Sequence, residues 1–336
     1  TDEISDTAIQ YNLLPLEGVE QNNISLDSCW FEAPVQMLNR DNRLFVKITN
    51  RGEEEKTKGL TLKINGEIKG LSEVVIPPKD NVIDTLTFSV TKSGWQKGEL
   101  FISDWPITFD DTTFLAFEVE ENIPVLVINQ QEENKFLKAL FKDNGIFQLV
   151  NNPVGQVDYS NLSNFQLIIL NDLLTVSSGL AEELSAAVDK GASLLVFPNE
   201  NMDKVAYNDF LKKLEVNTYE DLVTNRREVG YINTDQEVFS DVYEGILQNM
   251  ALPSASKSFN ISRGSMTNEE VLLRFKDDTS FISKYNFGNG AVFLCASPLD
   301  ADATDLPVQG GIFAPMVYKM ACLLYTSDAA DDQASV

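Results

Sequence analysis

Polar side chains follow three strongly apolar segments of this chain, at points where buried strands would end. They are Asn129 and Gln130 after residues 125–128, Asn171 and Asp172 after residues 167–170, and Pro198, Asn199 and Glu200 after residues 193–197. Open α/β sheets bind ligands in a crevice at the carboxyl ends of their strands, so these residues form the candidate crevice. Asp172 and Glu200 could serve there as an acid–base pair. The plainer interpretation, which we favour, is that such residues begin loops and cap helices.

Several chemistries are excluded by residues that the sequence lacks. The chain of 336 residues has no histidine, the commonest general base and zinc ligand. Residues 129–134 contain no glycine that would let backbone approach a phosphate, and no GxxxxGK[ST] motif occurs, so no nucleotide cofactor is expected. Gly179 follows two serines, but this is not a GxSxG elbow. Cys29 and Cys295 lack CxxC or metal-site spacing and are expected to be small buried hydrophobes.

Acidic residues resemble calcium ligands only superficially. The run from Asp300 to Asp305 lacks the loop glycine and the closing glutamate of an EF-hand. Asp110 and Asp111 lie between two β-like segments, where a hairpin turn explains them. Trp95 and Trp105 could form a ligand platform, but packing in the core or at the edge of a sandwich is the commoner use of such residues. The sequence therefore predicts no metal site and no cofactor.

The net charge of the chain limits the classes of partner that it is expected to bind. With 26 basic and 51 acidic residues the formal net charge is −25. Nucleic acids need a basic binding surface, and anionic lipids attract basic segments, so neither is expected as a partner. A protein partner or a small-molecule ligand remains.

Residues 30–120 have the pattern of a β-sandwich. Leu60, Leu62 and Ile64 alternate with polar residues, and Asn65 and Gly66 then supply the dipeptide favoured in a two-residue hairpin turn. The same alternation recurs at Leu44, Val46 and Ile48, at Leu86, Phe88 and Val90, and at Leu115, Phe117 and Val119. Short alternating strands with regular turns predict an immunoglobulin-like β-sandwich at residues 23–120.

The pattern changes at residue 121. The continuous apolar segments named above are typical of strands buried on both faces, and helical patterns separate them. Ser177 or Ser178 can cap one such helix, and Gly191 can end it. This alternation predicts a doubly wound, mainly parallel α/β domain at residues 121–324, extended by an antiparallel piece and closed by a helix at 312–324.

Whole segments of the chain resemble the soluble region of BatA-type proteins of Bacteroidota, the aerotolerance-regulator N-terminal or double-transmembrane family. The segments are NISLDSCWF (23–31), GWQKGE (94–99), DWPITFDD (104–111), SGLA (178–181) and ASPLD (296–300). The resemblance covers residues 5–322. It implies envelope proteins as partners and a periplasmic region anchored in the membrane through segments missing from this chain. It also implies that residues 1–22 are a remnant of a von Willebrand A-like domain, whose metal-dependent adhesion motif is missing here.

The α/β half also resembles class I glutamine amidotransferase-like domains, which are flavodoxin-like. In that family a nucleophilic cysteine lies on a sharp turn after a sheet strand, backed by a histidine. At that turn this chain has Pro198, Asn199 and Glu200, and it has no histidine anywhere. The resemblance therefore implies a pseudoenzyme, a catalytically silent domain that could retain a pocket.

The final residues, 322–336, are expected to be non-native. Residues 322–332 back-translate into the end of a common sequencing adapter, so this tail is set apart from the fold.

The expected function is a non-catalytic interaction or ligand-sensing module of a membrane-anchored cell-envelope protein. The alternative is a carboxylate-dependent hydrolase or carbohydrate-active enzyme that uses Asp172 and Glu200 in the strand-end crevice. For glycoside chemistry those two carboxyl groups would have to lie about 5–9.5 Å apart in one cavity.

Overall fold

A computed structural model describes residues 22–33, 35–105, 107–142, 145–236, 238–239, 251–262 and 267–322. The chain divides into two compact units, one of residues 1–33 and 39–118 and the other of residues 34–38 and 119–336. This division lies two residues before the boundary expected after residue 120. The domain remnant expected at residues 1–22 and the tail expected at 322–336 lie outside the described residues, apart from Asn22 and Cys322.

The described residues of the first part of the chain form β-strands and no helix. Its strands are β1 (Ile24–Phe31), β2 (Gln36–Met37), β3 (Asn42–Asn50), β4 (Lys56–Ile64), β5 (Glu67–Ile76), β6 (Asn81–Phe88), β7 (Gly94–Ile102) and β8 (Thr112–Glu120). One sheet has the order β1-β3-β6, and the other has the order β2-β8-β7-β4-β5. The short β2 belongs to the second unit, where it pairs in parallel with Val119 and Glu120.

The two sheets of the first unit pack as a sandwich. The rings of Phe88 on β6 and Phe117 on β8 lie 5.8 Å apart and join the two sheets. Leu44 and Val46 on β3 are fully buried, as the predicted alternation requires. At the β4–β5 turn Asn65 has φ +52° and its glycine neighbour +84°, the left-handed pair of a type I′ hairpin.

The second unit combines strands and helices. Its elements are β9 (Ile123–Asn129), α1 (Lys135–Phe141), β10 (Phe147–Pro153), β11 (Leu167–Leu173), α2 (Ser178–Asp189), β12 (Ser193–Pro198), α3 (Lys204–Lys213), β13 (Tyr219–Val223), β14 (Arg227–Ile232), β15 (Ser254–Ala255), β16 (Ser258–Ile261), β17 (Glu270–Phe275), β18 (Ser280–Phe287), β19 (Gly290–Cys295) and α4 (Gly310–Cys322). Nine strands form one sheet in the order β10-β9-β11-β12-β19-β18-β17-β14-β15, and β13 pairs with β16. Strands hold more of the described chain than helices do.

The nine-stranded sheet is parallel from β10 to β19 and antiparallel from β19 to β15. Alternate residues of its central strands enter two cores on opposite faces. Val127 packs with residues of α1 and α4 on one face, and Ile128 packs with residues of α2 and α3 on the other. Burial on both faces explains the continuous apolar segments of the sequence.

Local signals set the ends of the helices. Ser177 caps α2 by accepting a hydrogen bond from the backbone N–H of Leu180 at 3.3 Å, and Gly191 follows the helix with φ +122°. The last helix, α4, begins at Gly310, two residues before the expected start. None of the described helices has the length and apolar character needed to cross a membrane.

Candidate functional site

The parallel strands of the second unit reverse their order at one point. Numbered along the chain, β10-β9-β11-β12-β19 is the order 2-1-3-4-5: β10 lies on one side of β9, and the chain then crosses to β11 on the other side. Ligands of open α/β sheets bind outside the carboxyl ends of the strands at this switch point. Asn129 ends β9 and lies directly opposite Asn171 of β11 in the paired register. The apolar pattern of the sequence predicts both asparagines at this edge of the sheet.

A chain of hydrogen-bonded asparagines forms the floor of the switch point. Asn171 donates from Nδ2 to Asn129 Oδ1 at 2.9 Å, and Asn129 donates from Nδ2 to Asn151 Oδ1 at 2.5 Å. Asn134 extends the chain by donating to Asn171 Oδ1 at 3.3 Å. Asn129 and Asn171 are buried. Because each amide carries both a donor and an acceptor, the four side chains make a polar surface with no net charge.

Asn134 also fixes the loop that follows β9. Its Oδ1 accepts hydrogen bonds from the backbone N–H groups of Phe136 and Leu137, so it caps α1, while its Nδ2 donates to the carbonyl of Leu299 at 2.9 Å. One side chain thus ties the loop after β9 to the loop after β19. The polar floor is therefore held by the loops after β9 and β19 and by the end of β11.

A cavity of about 410 Å³ lies at these loops. Asn134 and Asn171 line it, together with the carboxylate-bearing residues Glu132, Glu133, Asp172 and Asp300 and a single lysine, Lys135. A neutral amide surface therefore meets an acidic rim. Neutral polar groups and cations suit this lining, and anions do not.

Asp172 lies on the cavity wall in an unusual conformation. It is the extra residue of a bulge between Asn171 and Leu173 and has φ +60°. Asn199 donates from Nδ2 to both the carbonyl (3.0 Å) and Oδ1 (2.8 Å) of Asp172, which holds this left-handed turn. Asn199 is therefore a support for Asp172 in this structure.

The carboxyl of Asp172 is less acidic than an ordinary aspartate. Although the residue as a whole is exposed, partial loss of water around the carboxyl raises its pKa, and the neighbouring charges of Asp300 and, to a smaller extent, Glu200 raise it further. The hydrogen bond from Asn199 works in the opposite direction. A carboxyl with a raised pKa in a cavity is a candidate proton donor.

The remaining candidate residues have structural roles outside the cavity. Glu200 is not part of the cavity lining; its carboxylate binds Lys257 Nζ at 2.5 Å and raises the pKa of that lysine. Gln130 accepts a hydrogen bond from the backbone N–H of Leu174 at 2.8 Å, and Pro198 is buried at the end of β12. The structure therefore places Asp172, but not Glu200, on the cavity wall.

No activated nucleophile is seen among the described residues. The turn after β12, where the amidotransferase resemblance would place one, contains Pro198, Asn199 and Glu200, and none of them has a positive φ. Burial raises the pKa of the Cys295 thiol to about 12, so this buried cysteine stays protonated at neutral pH. The left-handed residue of this edge is Asp172 instead.

Sequence reasoning missed two residues that shape the cavity. Asn134 carries an available signal, an asparagine directly before an amphipathic segment, which is a typical helix cap. Asp300 was considered only as part of a calcium-like run. Neither has a sequence signal for its place beside Asn171, because that proximity depends on the closure of loops far apart in the chain.

Comparisons with known proteins found partial likenesses. No family model and no curated protein matches the chain. Among solved structures, the chain is similar to the CARDB domain of the PF1109 protein from Pyrococcus furiosus (15% identity; 31% of this chain and 97% of that chain; TM-score 0.27). It is also similar to a β-galactosidase from Bacillus circulans sp. alkalophilus (18%; 60% and 31%; TM-score 0.42). A ThuA-like protein from Bacteroides uniformis gives 13% identity over 59% of this chain and 89% of that chain, with a TM-score of 0.42.

Proposed function

We propose that this chain is a non-catalytic ligand-sensing or interaction module of a membrane-anchored cell-envelope protein of the BatA type. In this proposal its first unit is an immunoglobulin-like sandwich. Its second unit is a doubly wound, amidotransferase-like domain that keeps a ligand pocket without a nucleophile. The observation that carries the proposal is the cavity at the switch point, with its floor of hydrogen-bonded asparagines.

The chemistry of the floor supports binding over catalysis. Asparagine amides neither accept nor release protons near neutral pH, and each amide of the chain is held by its neighbours. Glu200, which the alternative needs as the second carboxylate, is paired with Lys257. The chain has no histidine to act as a base. The residues present can orient a ligand by hydrogen bonds and charge.

The lining also limits the class of ligand. A volume of about 410 Å³ falls within the range of roughly 300–1,000 Å³ for small-molecule sites. Hydroxyl and amide groups of a ligand can pair with Asn171, whose amide has one N–H and one oxygen lone pair beyond its contacts with Asn129 and Asn134. An ammonium group would meet the carboxylates of the rim. A sugar, an amino sugar or an amino acid amide fits these requirements.

Calorimetry and thermal shift with glucosamine, N-acetylglucosamine, glutamine and a muropeptide test the proposal. We expect at least one probe to bind. Glu132→Gln should weaken an ammonium-bearing probe by about 2- to 5-fold, as expected for loss of one exposed charge. Glu182→Gln, on the exposed face of α2, is the matched control and should leave the affinity unchanged. Absence of binding by every probe, or equal losses in both variants, contradicts the pocket.

The envelope role has a separate test. Affinity capture with the full-length parent protein from envelope membranes should recover a specific partner, and repeated recovery of none contradicts an interaction module. A cavity that binds ligand while capture fails would confine the proposal to ligand sensing.

One observation favours a second candidate function, a carboxylate-dependent hydrolase. Asp172 and Asp300 line the same cavity, and the charge of Asp300 raises the pKa of Asp172, as in pairs of acids with different roles. Screening against chromogenic glycosides should then reveal turnover that Asp172→Asn abolishes. Turnover that survives this change, or none at all, excludes the hydrolase.

A further inference from the structure

A second polar cluster lies in the first unit, at the turn that joins β7 to β8. Asp110 and Asp111 form part of this turn, and Asp104 begins the loop that leads to it. Asn23, immediately before β1, meets them from a distant part of the chain. Asn23 and Asp111 are 5% and 4% exposed, so both polar side chains are almost wholly buried.

Each member of the cluster uses one polar atom to hold its position. Asn23 donates from Nδ2 to Asp110 Oδ2 at 2.6 Å. Asp111 Oδ2 accepts the backbone N–H of Asp104 at 3.0 Å. The carbonyl of Asp111 accepts the backbone N–H of Ile102 at 2.9 Å, which anchors the turn to β7. These contacts hold each side chain in place but leave its Oδ1 atom without a hydrogen bond to any described residue.

Three side-chain oxygens of this cluster are buried and have no hydrogen-bond partner among the described residues. They are Asn23 Oδ1, Asp110 Oδ1 and Asp111 Oδ1. A buried carboxylate whose partners are only neutral N–H groups is destabilising, because burial removes water that is not replaced by a positive charge. Three unpartnered oxygens within one hydrogen-bonded cluster therefore suit a bound cation.

The lysine that binds Asp104, Lys58, is already engaged by that carboxylate and a backbone carbonyl. Lys58 donates from Nζ to Asp104 Oδ1 at 2.8 Å and to the carbonyl of Ser103 at 2.8 Å. Burial acts to raise the pKa of Asp104, but the hydrogen bonds from Lys58 and from the backbone N–H groups of Ile24 and Trp105 outweigh it and hold that pKa below its usual range. Lys58 thus neutralises Asp104 and leaves the charges of Asp110 and Asp111 uncompensated.

We infer that Asn23, Asp110 and Asp111 form a calcium site that links the start of β1 to the β7–β8 turn. Two carboxylate oxygens and one amide oxygen are hard ligands that suit a divalent cation, and their two negative charges balance its charge. Among the described residues no three His, Cys, Asp or Glu side chains are grouped as a metal centre. The proposed set has two carboxylates, and its third ligand is the amide oxygen of Asn23.

The irregular ligand set favours calcium over magnesium. Magnesium requires near-octahedral geometry and sheds its water reluctantly, whereas calcium takes 6–8 oxygens in flexible arrangements. With three side-chain ligands, water and backbone carbonyls complete the coordination. We therefore expect a dissociation constant of about 10⁻⁴–10⁻³ M, the range of weak extracellular calcium modules.

Calorimetric titration of the full chain with CaCl₂, after EDTA treatment and dialysis, tests this inference. Wild type should bind one calcium, and ten times the dissociation constant should raise Tm by about 3 °C. Asp111→Asn should lose the response. Asp41→Asn, the same change at an exposed position of the first unit, should keep it. Magnesium should bind at least tenfold more weakly.

Terbium luminescence on the wild-type protein keeps the test independent of variant folding. Terbium should bind and be displaced by calcium at the concentration found by calorimetry. Equal Tm shifts in wild type and Asp111→Asn would reduce the effect to general screening of a highly acidic chain and overturn the site. Absence of a calcium isotherm with wild type would mean that water alone covers these oxygens, which also overturns it.

Discussion

Two polar clusters of this molecule differ in how their buried side-chain oxygens are hydrogen-bonded. In the second unit, Asn129 and Asn171 are buried and hydrogen-bonded to each other and to further asparagines, and every side-chain oxygen of this cluster accepts a hydrogen bond. One buried donor at its end, Asn151 Nδ2, has no partner among the described residues. In the first unit, the carboxylates of Asp110 and Asp111 each leave one buried oxygen unpartnered among the described residues. Amides carry donors and acceptors in equal measure, whereas ionised carboxylates only accept. The amide cluster can therefore supply donors to its own oxygens, whereas the unpartnered carboxylate oxygens need a donor or a cation from outside their cluster.

This difference assigns the two clusters different tasks. A neutral, self-bonded floor can present hydrogen-bonding groups to a ligand without a large energetic cost when the ligand is absent. The carboxylate cluster is destabilised until a cation binds, so it is suited to a structural ion. Substitutions that add a charge to the amide cluster, or remove one from the carboxylate cluster, should distinguish these two tasks.

The largest effect is expected when a charge enters the amide floor. Asn129→Asp places a carboxylate at a position that is 1% exposed and removes the donor to Asn151. We expect a loss of about 3–5 kcal/mol in the free energy of unfolding at pH 7. Because burial raises the pKa of the new carboxyl, lowering the pH to 5 should recover part of the loss. Urea denaturation measures both, with Asn201→Asp at an exposed turn as control; equal stability of the two variants would contradict a closed amide floor.

A smaller loss should follow removal of an amide without adding charge. Asn171→Leu leaves Asn129 Oδ1 without its donor and removes the acceptor of Asn134. The expected loss is about 2–4 kcal/mol, from buried polar groups left unpaired. The same variant should abolish binding of any probe found by calorimetry. If Asn201→Leu costs as much, the hydrogen-bond chain contributes nothing specific.

The carboxylate cluster should respond with the opposite sign. In EDTA, Asp111→Asn removes an uncompensated buried charge and should raise the free energy of unfolding by about 1 kcal/mol. Asp41→Asn should change it by less than about 0.5 kcal/mol. Chemical denaturation provides the measurement. A clear loss of stability in the Asp111 variant would mean that its carboxylate is already balanced.

The smallest effect is expected at the cavity wall. The pKa of Asp172 is raised in the folded protein, so the folded state binds more protons than the unfolded state between the ordinary and the raised pKa. Wild-type stability should therefore gain slightly as pH falls through this window. Asp172→Asn removes the unfavourable charge, so its small advantage at pH 7 should vanish below pH 3.8, the ordinary value. Thermal unfolding from pH 7 to 3 measures it, and a constant difference contradicts the shift.

The sequence was most informative where burial acts on both faces of a strand. The continuous apolar segments predicted β9, β11 and β12, and the rule that ligands bind at strand ends placed Asn129 and Asn171 in one crevice. Strand β10, at the edge of the sheet, was missed. Its residues are mostly half-buried and show neither alternation nor a continuous apolar run.

The site was less predictable than the strands, because loops bring residues together across long separations. Asn134 contacts the carbonyl of Leu299 across 165 positions, and Asn23 meets Asp110 across 87. Glu200 follows its strand as expected, but its carboxylate forms an ion pair with Lys257 and does not line the cavity. No local pattern in the sequence predicts these long-range contacts.

The most direct test of the ligand pocket observes its floor. In protein labelled with ¹⁵N at asparagine, the side-chain amide resonances of Asn134 and Asn171 should shift on addition of glucosamine, N-acetylglucosamine, glutamine or a muropeptide. The resonance of Asn161, exposed in the 3₁₀ helix Tyr159–Asn164 outside the cavity, should stay in place. Shifts confined to the cavity asparagines support the pocket. Unchanged Asn134 and Asn171 resonances with every probe would contradict it.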